Sequence, residues 1–258
     1  MTLRTILAKT ALAAAVAAVT AVGISYTLLR HSAPERARVE LIMRDYLTKN
    51  PQILVEIANE LDKRQSAEET TKQQKTISEH TDKIFRSSTS FVAGNPSGDV
   101  SVVEFFDYNC GYCRRALPDV VKLVHSDSNV RLVLKELPIF GEESEAAAKL
   151  ALASIKQGKY FELHQKLLSG PGKVDKEKAL RDANELGLDV DRLEKDADDP
   201  SVKAALDESK DLAQKLGLRG TPFYLIGDRI LAGLPENLYD ELSHYVAEVR
   251  QKGCSTKC

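Results

Sequence analysis

Residues 100–113 read VSVVEFFDYNCGYC and are followed by a helix-like run over residues 116–124. The first eight of these residues form an almost wholly apolar run of β formers, which is typical of a buried central strand. A second run of β formers, residues 130–134, comes after the helical stretch. Strand, helix and strand in this order predict a βαβ unit, with a Cys-x-x-Cys sequence at its first strand-to-helix turn.

The two cysteines of this turn have different predicted roles. A thiol at a helix N-terminus faces unpaired backbone N–H groups and the positive end of the helix dipole, and both favour the thiolate. We therefore expect Cys110 to be the nucleophile and Cys113, one helical turn further on, to be the more buried resolving thiol. A zinc site and an inert structural disulfide are the alternatives. Zinc would need two further ligands, and Cys254 and Cys258 lie far along the chain. No metal or other cofactor is predicted.

The segment EFFDYNCGYC, residues 104–113, resembles the active site of the bacterial DsbA-like thiol-disulfide oxidoreductases of the thioredoxin superfamily. GTPF, residues 220–223, is similar to the cis-proline loop that lies opposite the cysteine pair in that superfamily, and LKELPIFG, residues 134–141, resembles its sheet. With the additional N-terminal helical segment, the resemblance is nearest to the ScsC-type and Com1-like periplasmic proteins. It implies an α/β, thioredoxin-like fold with an inserted helical subdomain at about residues 141–216, preceded by an N-terminal helical segment.

The resemblance also implies roles for individual residues. Glu104 matches the family's buried acid, which is thought to relay a proton to the resolving thiol. An unpaired carboxylate on a buried strand is costly, so Lys135 on the neighbouring strand is its expected partner, and a purely structural ion pair is the alternative. Thr221 and Pro222 would present backbone to an extended substrate peptide near Tyr112. Alternatively, Pro222 is a trans proline that opens an edge strand.

The first 33 residues are predicted to be a signal peptide or signal anchor. Arg4 and Lys9 precede an uncharged run over residues 10–29, which suits a secretory signal. The run is also long enough to span a bilayer as an uncleaved inner-membrane anchor. Either interpretation places the remaining chain in an oxidising compartment, which the resemblance identifies as the periplasm.

Residues 34–90 are predicted to form a helical oligomerisation segment and a linker. Apolar residues follow helical spacing in two stripes that end at Leu61, and Asn50-Pro51 is a typical helix start between them. The next fifteen residues are almost entirely polar, as in a solvated helix or a flexible linker. Two short stripes cannot form a core alone. They pack either on the main domain, residues 91–252, or on copies of themselves, and we favour a homo-oligomer formed through residues 34–61.

Composition restricts the remaining functional classes. The 258 residues are 43% hydrophobic, with 36 Lys and Arg against 38 Asp and Glu and a net charge of −2, so a nucleic-acid partner is not expected. Four cysteines are too few for a disulfide-built fold. In the tail, residues 253–258, we expect Cys254 and Cys258 to form a short-loop disulfide or a bond between subunits. A second redox pair is the lesser alternative, because no helix N-terminus is there to favour a thiolate.

The resemblance leaves the direction of thiol-disulfide exchange open. The Gly111-Tyr112 dipeptide together with Thr221 resembles the combination found in the periplasmic isomerase DsbC, which favours a disulfide isomerase or reductase. Its partners would be exported proteins with thiols or disulfides and a membrane redox protein that keeps it reduced. The alternative is a DsbA-like dithiol oxidase, and a lesser one is a copper-binding redox module in which two thiolates hold Cu(I).

Overall fold

The computed structural model describes residues 18–23 and 35–254 of the chain. Residues 18–23 are helical, and the rest of the predicted signal segment, residues 1–33, lies outside the described residues. Residues 255–258, which include Cys258, also lie outside them. In the described ranges, no helix combines the length and the apolar character that a membrane span requires.

The described residues fall into two compact units, on either side of the Ala67–Glu68 bond. The first unit contains a helix over residues 35–49, here called α1, and the start of the 28-residue helix α2, Gln52–Glu79. The polar stretch after Leu61, for which the sequence allowed a helix or a flexible linker, is therefore a helix. Most of its polar residues have no apolar surface to bury and stay solvated, whereas Thr76 is buried and Gln73 donates to the carbonyl oxygen of Leu216 at 2.9 Å.

The second unit begins earlier than the sequence predicts. The predicted boundary lies between residues 90 and 91, whereas the end of α2 and the short helix α3, Thr81–Phe85, already belong to this compact unit. Ile77, Ile84 and Phe85 are fully buried in its core. These three side chains account for the inclusion of residues 68–90.

A five-stranded sheet forms the centre of the second unit. Its spatial order is β1-β3-β2-β4-β5, in which β2 and β3 are parallel and the other neighbours antiparallel. The strands are β1 Phe91–Gly94, β2 Val100–Phe106, β3 Val130–Glu136, β4 Phe223–Ile226 and β5 Arg229–Ala232. All seven residues of β2 are buried, as expected of a central strand covered on both faces.

Helices cover both faces of the sheet. The helix α4, Gly111–Ser126, connects β2 to β3 and completes the predicted βαβ unit. The region between β3 and β4 is helical, as predicted, and the chain closes with one further helix. The remaining elements are α5 Glu142–Ala153, a 3₁₀ turn Ser154–Gln157, α6 Tyr160–Ser169, α7 Lys176–Glu185, α8 Val190–Ala197, α9 Pro200–Leu216 and α10 Leu238–Lys252.

Side-chain alternation along β2 and β3 produces two separate cores. One contains Val102 and Phe106 with α4, α10 and most of the helical insertion, and the other contains Val103 and Phe105 with α3 and the end of α9. Neighbouring residues on these strands therefore face different cores. This alternation determines which buried polar groups can meet near the cysteines.

Candidate active site

Cys110 is the N-cap residue of α4. Its backbone is extended, and its sulfur accepts a hydrogen bond from the backbone N–H of Cys113 at 3.3 Å. β2 ends at Phe106, so the short segment that follows turns the chain from the central strand directly into α4. The predicted placement of Cys110 at a strand-to-helix turn is thus observed.

The environment of Cys110 favours its thiolate. Hydrogen bonding from Cys113 is the main cause, backbone N–H groups of Cys113 and Tyr112 add to it, and together they outweigh burial and lower the Cys110 pKa to about 6. At pH 7 about nine tenths of such a thiol is ionised. The sulfur also lies 3.2 Å from the carbonyl oxygen of Thr221, to which the neutral thiol donates.

Cys113 has the opposite character. It is fully buried, and burial raises its pKa well above the ordinary thiol value, with further increases from the hydrogen bond to Cys110 and the charge of Glu104. Both cysteines are free thiols in the structure. One thiol is therefore an anion at neutral pH while the other keeps its proton. The nucleophile and resolving roles of the two cysteines stay predictions.

Glu104 lies on β2 behind the cysteine pair and is 2% exposed. Burial is the main cause that raises its pKa to about 8, and the Cys110 charge adds to it. The Tyr224 hydroxyl donates to its Oε1 at 3.2 Å and lowers the pKa in part. Tyr224 was not singled out from the sequence, although its pairing opposite Glu104 follows from the β2–β4 register.

The expected pairing of Lys135 with Glu104 is wrong. In the parallel register of β2 and β3, Glu104 is opposite Leu134 and Lys135 is opposite Phe105, so the two side chains face different cores. Lys135 instead donates to Glu208 Oε1 at 2.8 Å and to the Lys83 carbonyl oxygen at 2.6 Å. Its role in this structure is to join β3 to α3 and α9.

The loop before β4 faces the cysteines. The Thr221–Pro222 peptide bond is cis, so the alternative of a trans proline opening an edge strand is excluded. Thr221 is 9% exposed, and its buried Oγ1 has no hydrogen-bond partner among the described residues. The predicted substrate-binding residues Thr221 and Tyr112 both line a groove of about 590 Å³ beside Cys110.

Two apolar side chains that sequence reasoning missed form another wall of this groove. Ile139 and Phe140 lie just after β3 and are 47% and 51% exposed, and Tyr112 is 56% exposed. Exposed aromatic and aliphatic side chains beside a reactive sulfur are suited to contact a peptide. The signal was present in the sequence as an apolar pair after a strand, but its place in space depends on contacts made by another loop.

Those contacts come from the carboxylate of Asp107. Its Oδ2 accepts from the backbone N–H groups of Ile139 at 2.7 Å and Phe140 at 3.1 Å, and its Oδ1 accepts from Asn109 N at 2.6 Å and Ser144 Oγ at 2.8 Å. The buried carboxylate thus joins the active-site loop to the apolar wall. Since four donors are satisfied by one group, Asp107 fixes the distance between Cys110 and the groove wall.

The active-site loop is also joined to the helical insertion. Arg114 donates to the carbonyl oxygens of Gly170 at 2.6 Å and Gly172 at 2.7 Å. Asn109 exchanges two hydrogen bonds with the backbone of Val174, at 2.8 and 2.9 Å. The residues on either side of the cysteine pair therefore hold residues 170–174 of the insertion.

A second buried acid, Glu136, lies at the end of β3. Its Oε1 accepts from Tyr108 at 2.9 Å and Tyr160 at 2.7 Å, while Oε2 has no partner among the described residues. Burial raises its pKa to about 8 and lowers that of neighbouring His164 to about 3. Both groups are therefore neutral at pH 7, and this cluster adds no charge next to Tyr108.

The described residues contain no group of three or more His, Cys, Asp or Glu side chains arranged to hold a metal ion. Cys254 is disulfide-bonded. The expected partner, Cys258, lies outside the described residues, so its pairing stays a prediction.

The unequal acidity of the two thiols and the cis-proline loop across from them define the class of protein as a thiol-disulfide oxidoreductase of thioredoxin fold. The chain belongs to the family with a DSBA-like thioredoxin domain, whose match covers residues 101–246. Residues 35–68 match the copper resistance protein ScsC N-terminal domain.

Solved structures of similar proteins support this assignment. A thioredoxin-like oxidoreductase from Silicibacter pomeroyi is 46% identical, with 66% of this chain and 97% of that chain covered and a TM-score of 0.64. A linker-deletion mutant of Proteus mirabilis ScsC is 28% identical, with 84% of this chain and 95% of that chain covered and a TM-score of 0.66. The thiol-disulfide exchange protein alpha-DsbA2 from Wolbachia pipientis is 30% identical, with 70% of this chain and 97% of that chain covered and a TM-score of 0.64.

Some curated relatives are much longer proteins. The Na(+)/H(+) antiporter NhaA 3 of Salinispora tropica is 31% identical over 140 residues, which make up 54% of this chain and 22% of the antiporter. The chain therefore spans about a fifth of the length of that relative.

Proposed function

We propose that the protein is a periplasmic disulfide isomerase or reductase that acts on exported proteins and is kept reduced by a membrane redox partner. The pKa of Cys110, about 6, beside a Cys113 thiol that stays protonated supports thiol-disulfide exchange in general. A reduced protein in which one thiol is already ionised at neutral pH can attack a non-native disulfide without further activation. The observation that carries the isomerase is the set of exposed apolar side chains along residues 34–61, which suits an oligomer.

Exchange begins and ends at the Cys110 sulfur. The Cys110 thiolate attacks one sulfur of a substrate disulfide, a Cys110–substrate bond forms, and the second substrate sulfur leaves as a thiolate. In isomerisation, a substrate thiolate attacks the mixed disulfide and restores the Cys110 thiolate. In reduction, Cys113 loses its proton and attacks the Cys110 sulfur, which leaves a Cys110–Cys113 disulfide and a reduced substrate. The membrane partner must then return two electrons.

We assign Glu104 as the base that accepts the proton of the Cys113 thiol. It is buried, its charge raises the Cys113 pKa, and its own pKa of about 8 lies close to the working pH. A carboxylate with such a pKa is a useful base, since part of the population is ionised at neutral pH. Lys135 has no place in this step, because it faces the other core.

Self-association through residues 34–61 is the second part of the proposal. Val39, Ile42 and Met43 on α1 are at least 50% exposed, and Leu54 and Ile57 on α2 are 54% and 57% exposed. Apolar side chains at helical spacing that stay exposed in a single chain are suited to a subunit interface. An oligomer would present several active sites to one misfolded client and would screen them from indiscriminate oxidation.

Three measurements test this proposal: the refolding of scrambled ribonuclease by the reduced protein, the redox potential of the protein, and the mass of the protein by light scattering. We expect an oligomer that restores ribonuclease activity. Ile42→Glu should yield a monomer with impaired refolding and intact dithiol chemistry, whereas Ala37→Glu, on the opposite face of α1, should change neither. A monomeric wild-type protein would refute the oligomer, and absence of refolding would refute the isomerase.

The dithiol oxidase remains the second candidate, and one observation favours it. A low Cys110 pKa stabilises the reduced form, which makes the Cys110–Cys113 disulfide a stronger oxidant. An oxidase would couple a strongly oxidising potential to rapid oxidation of reduced ribonuclease, without refolding of the scrambled form.

Copper handling is the third candidate, and the match of residues 35–68 to a copper resistance protein domain favours it. That segment holds no cysteine or histidine, so Cu(I) as cargo would have to use Cys110 and Cys113. Cys113→Ser distinguishes the candidates, because an exchange enzyme then accumulates mixed disulfides through Cys110. A variant that forms no such adducts would count against exchange.

Export is proposed from the sequence of residues 1–33. Signal peptides are cleaved after small residues, for which Ala21 and Ala33 are the candidates. N-terminal sequencing of protein recovered from the periplasmic fraction should therefore give a start at residue 22 or 34 if the signal is cleaved. An intact N-terminus in the membrane fraction would indicate the anchor over residues 10–29 instead.

A further inference from the structure

Two guanidinium groups lie beside the groove next to Cys110. Arg115 on α4 and Arg219 before the cis-proline loop both line it, and both are exposed. Among the described residues that line this groove, none is acidic. The chain as a whole carries a net charge of −2, so the concentration of positive charge at this place is local.

Arg115 is available to a ligand. Its guanidinium lies 4.7 Å from the centre of the exposed Tyr112 ring, and no carboxylate in the described part of the chain pairs with it. The preceding residue, Arg114, differs because it is already bonded to the carbonyl oxygens of Gly170 and Gly172. A guanidinium that contacts an aromatic ring keeps N–H donors that the ring does not use, and a carboxylate can approach them.

Arg219 is held by an exchangeable contact. It lies 3.3 Å from Oε2 of Glu69 on α2, and the two side chains are 85% and 41% exposed. An exposed ion pair of this kind contributes little, because water and salt screen it. An incoming carboxylate can therefore take the place of Glu69 at small cost.

We infer that the groove selects cysteines that have an acidic residue close by in an extended client segment, with Arg115 and Arg219 as the specificity-determining residues. The inference rests on the proposed exchange function. Ile139 and Phe140 supply apolar contact that does not distinguish charge, and the two guanidinium groups supply charge complementarity. Since these charges are at the rim, they act chiefly on the rate of association and on its salt dependence.

The inference is tested with short single-cysteine peptides that are identical except for the residues flanking cysteine, which are Glu, Gln or Lys. Each reduced peptide reacts with the oxidised full-length protein. The rate constant of this reaction is divided by the rate constant with which the same peptide reacts with hydroxyethyl disulfide. The division is needed because a neighbouring charge also changes the thiol pKa of the peptide. We expect the normalised Glu peptide to react about fivefold faster than the Lys peptide at low salt, and less than about twofold faster at high salt.

Variants assign the selectivity to the two side chains. R115Q/R219Q should bring the Glu-to-Lys ratio close to one. Glu69→Gln should raise the ratio, because it removes the carboxylate that competes for Arg219. Lys252→Gln is the matched control: it removes one positive charge from an exposed ion pair on α10, and it should leave the ratio unchanged.

Two outcomes overturn the inference. One is a wild-type ratio of one or below, and the other is a ratio that survives in R115Q/R219Q. Failure of the exchange function has a separate signature, in which the neutral Gln peptide reacts with the protein no faster than with hydroxyethyl disulfide. A fast Gln peptide with no charge discrimination would refute the selectivity alone.

Discussion

Replacing Glu104 with Gln tests the proton pathway of the site. To resolve a mixed disulfide, the Cys113 thiol must lose its proton, and burial keeps its pKa well above the ordinary value. Glu104 has a pKa of about 8, so about one tenth of it is carboxylate at pH 7 and half at pH 8. The Cys110 charge that adds to this pKa is absent in the mixed disulfide, so the wild-type resolution rate should rise nearly tenfold between pH 6 and pH 7 and level off near or slightly below pH 8.

Glu104→Gln should slow resolution about a hundredfold at pH 8, the lower end of what general bases contribute, and should abolish the inflection near pH 8. The assay starts from the Cys110–glutathione mixed disulfide prepared at low pH. A pH jump then starts resolution, and released glutathione is measured. Tyr224→Phe is the matched control, because it keeps the carboxyl and removes the hydroxyl that lowers its pKa. Its inflection should move above pH 8. An unchanged profile in Glu104→Gln would refute the role of Glu104.

Three further perturbations have distinct expected results. Burial raises the Glu104 pKa above its unfolded value, so the reduced protein loses stability as the pH rises from about 4.5 to 8. Glu104→Gln should therefore increase the free energy of urea unfolding by at most about 5 kcal/mol at pH 8.5 and should leave it unchanged at pH 4. Cys113→Ala should raise the Cys110 pKa above 6, measured by thiolate absorbance, and Cys113→Ser should raise it less because a hydroxyl still donates. Asp107→Asn should raise the KM for peptide substrates several-fold by loosening Ile139 and Phe140, and an equal loss of kcat with unchanged KM would contradict this.

The elements that carry the chemistry could be predicted because their signals are local. The apolar run of β2 followed by Cys110 at a helix start depends on neighbours in sequence, as does the burial of Glu104 on that strand. The N-terminal stripes are equally local, and the helices they predicted are present in α1 and α2.

The features that were missed depend on register and on loop contacts. Whether Glu104 can pair with Lys135 depends on the register of two parallel strands, because a shift of one residue moves a side chain to the other face of the sheet. The groove wall at Ile139 and Phe140 required the Asp107 carboxylate, which reaches across 32 residues of sequence. The domain boundary required knowledge that Ile77 fills a space under the sheet, although its surroundings in sequence are polar.

The hydrogen bonds from Arg114 and Asn109 to residues 170–174 limit how this protein can be shortened. Removal of the helical insertion would leave two guanidinium donors and one amide without acceptors at the edge of the reactive loop. The chain therefore cannot be trimmed to a minimal thioredoxin without disturbing the segment that carries Cys110. Engineered versions can vary the outer surfaces of α7 and α8, but they must keep the backbone of residues 170–174 in place.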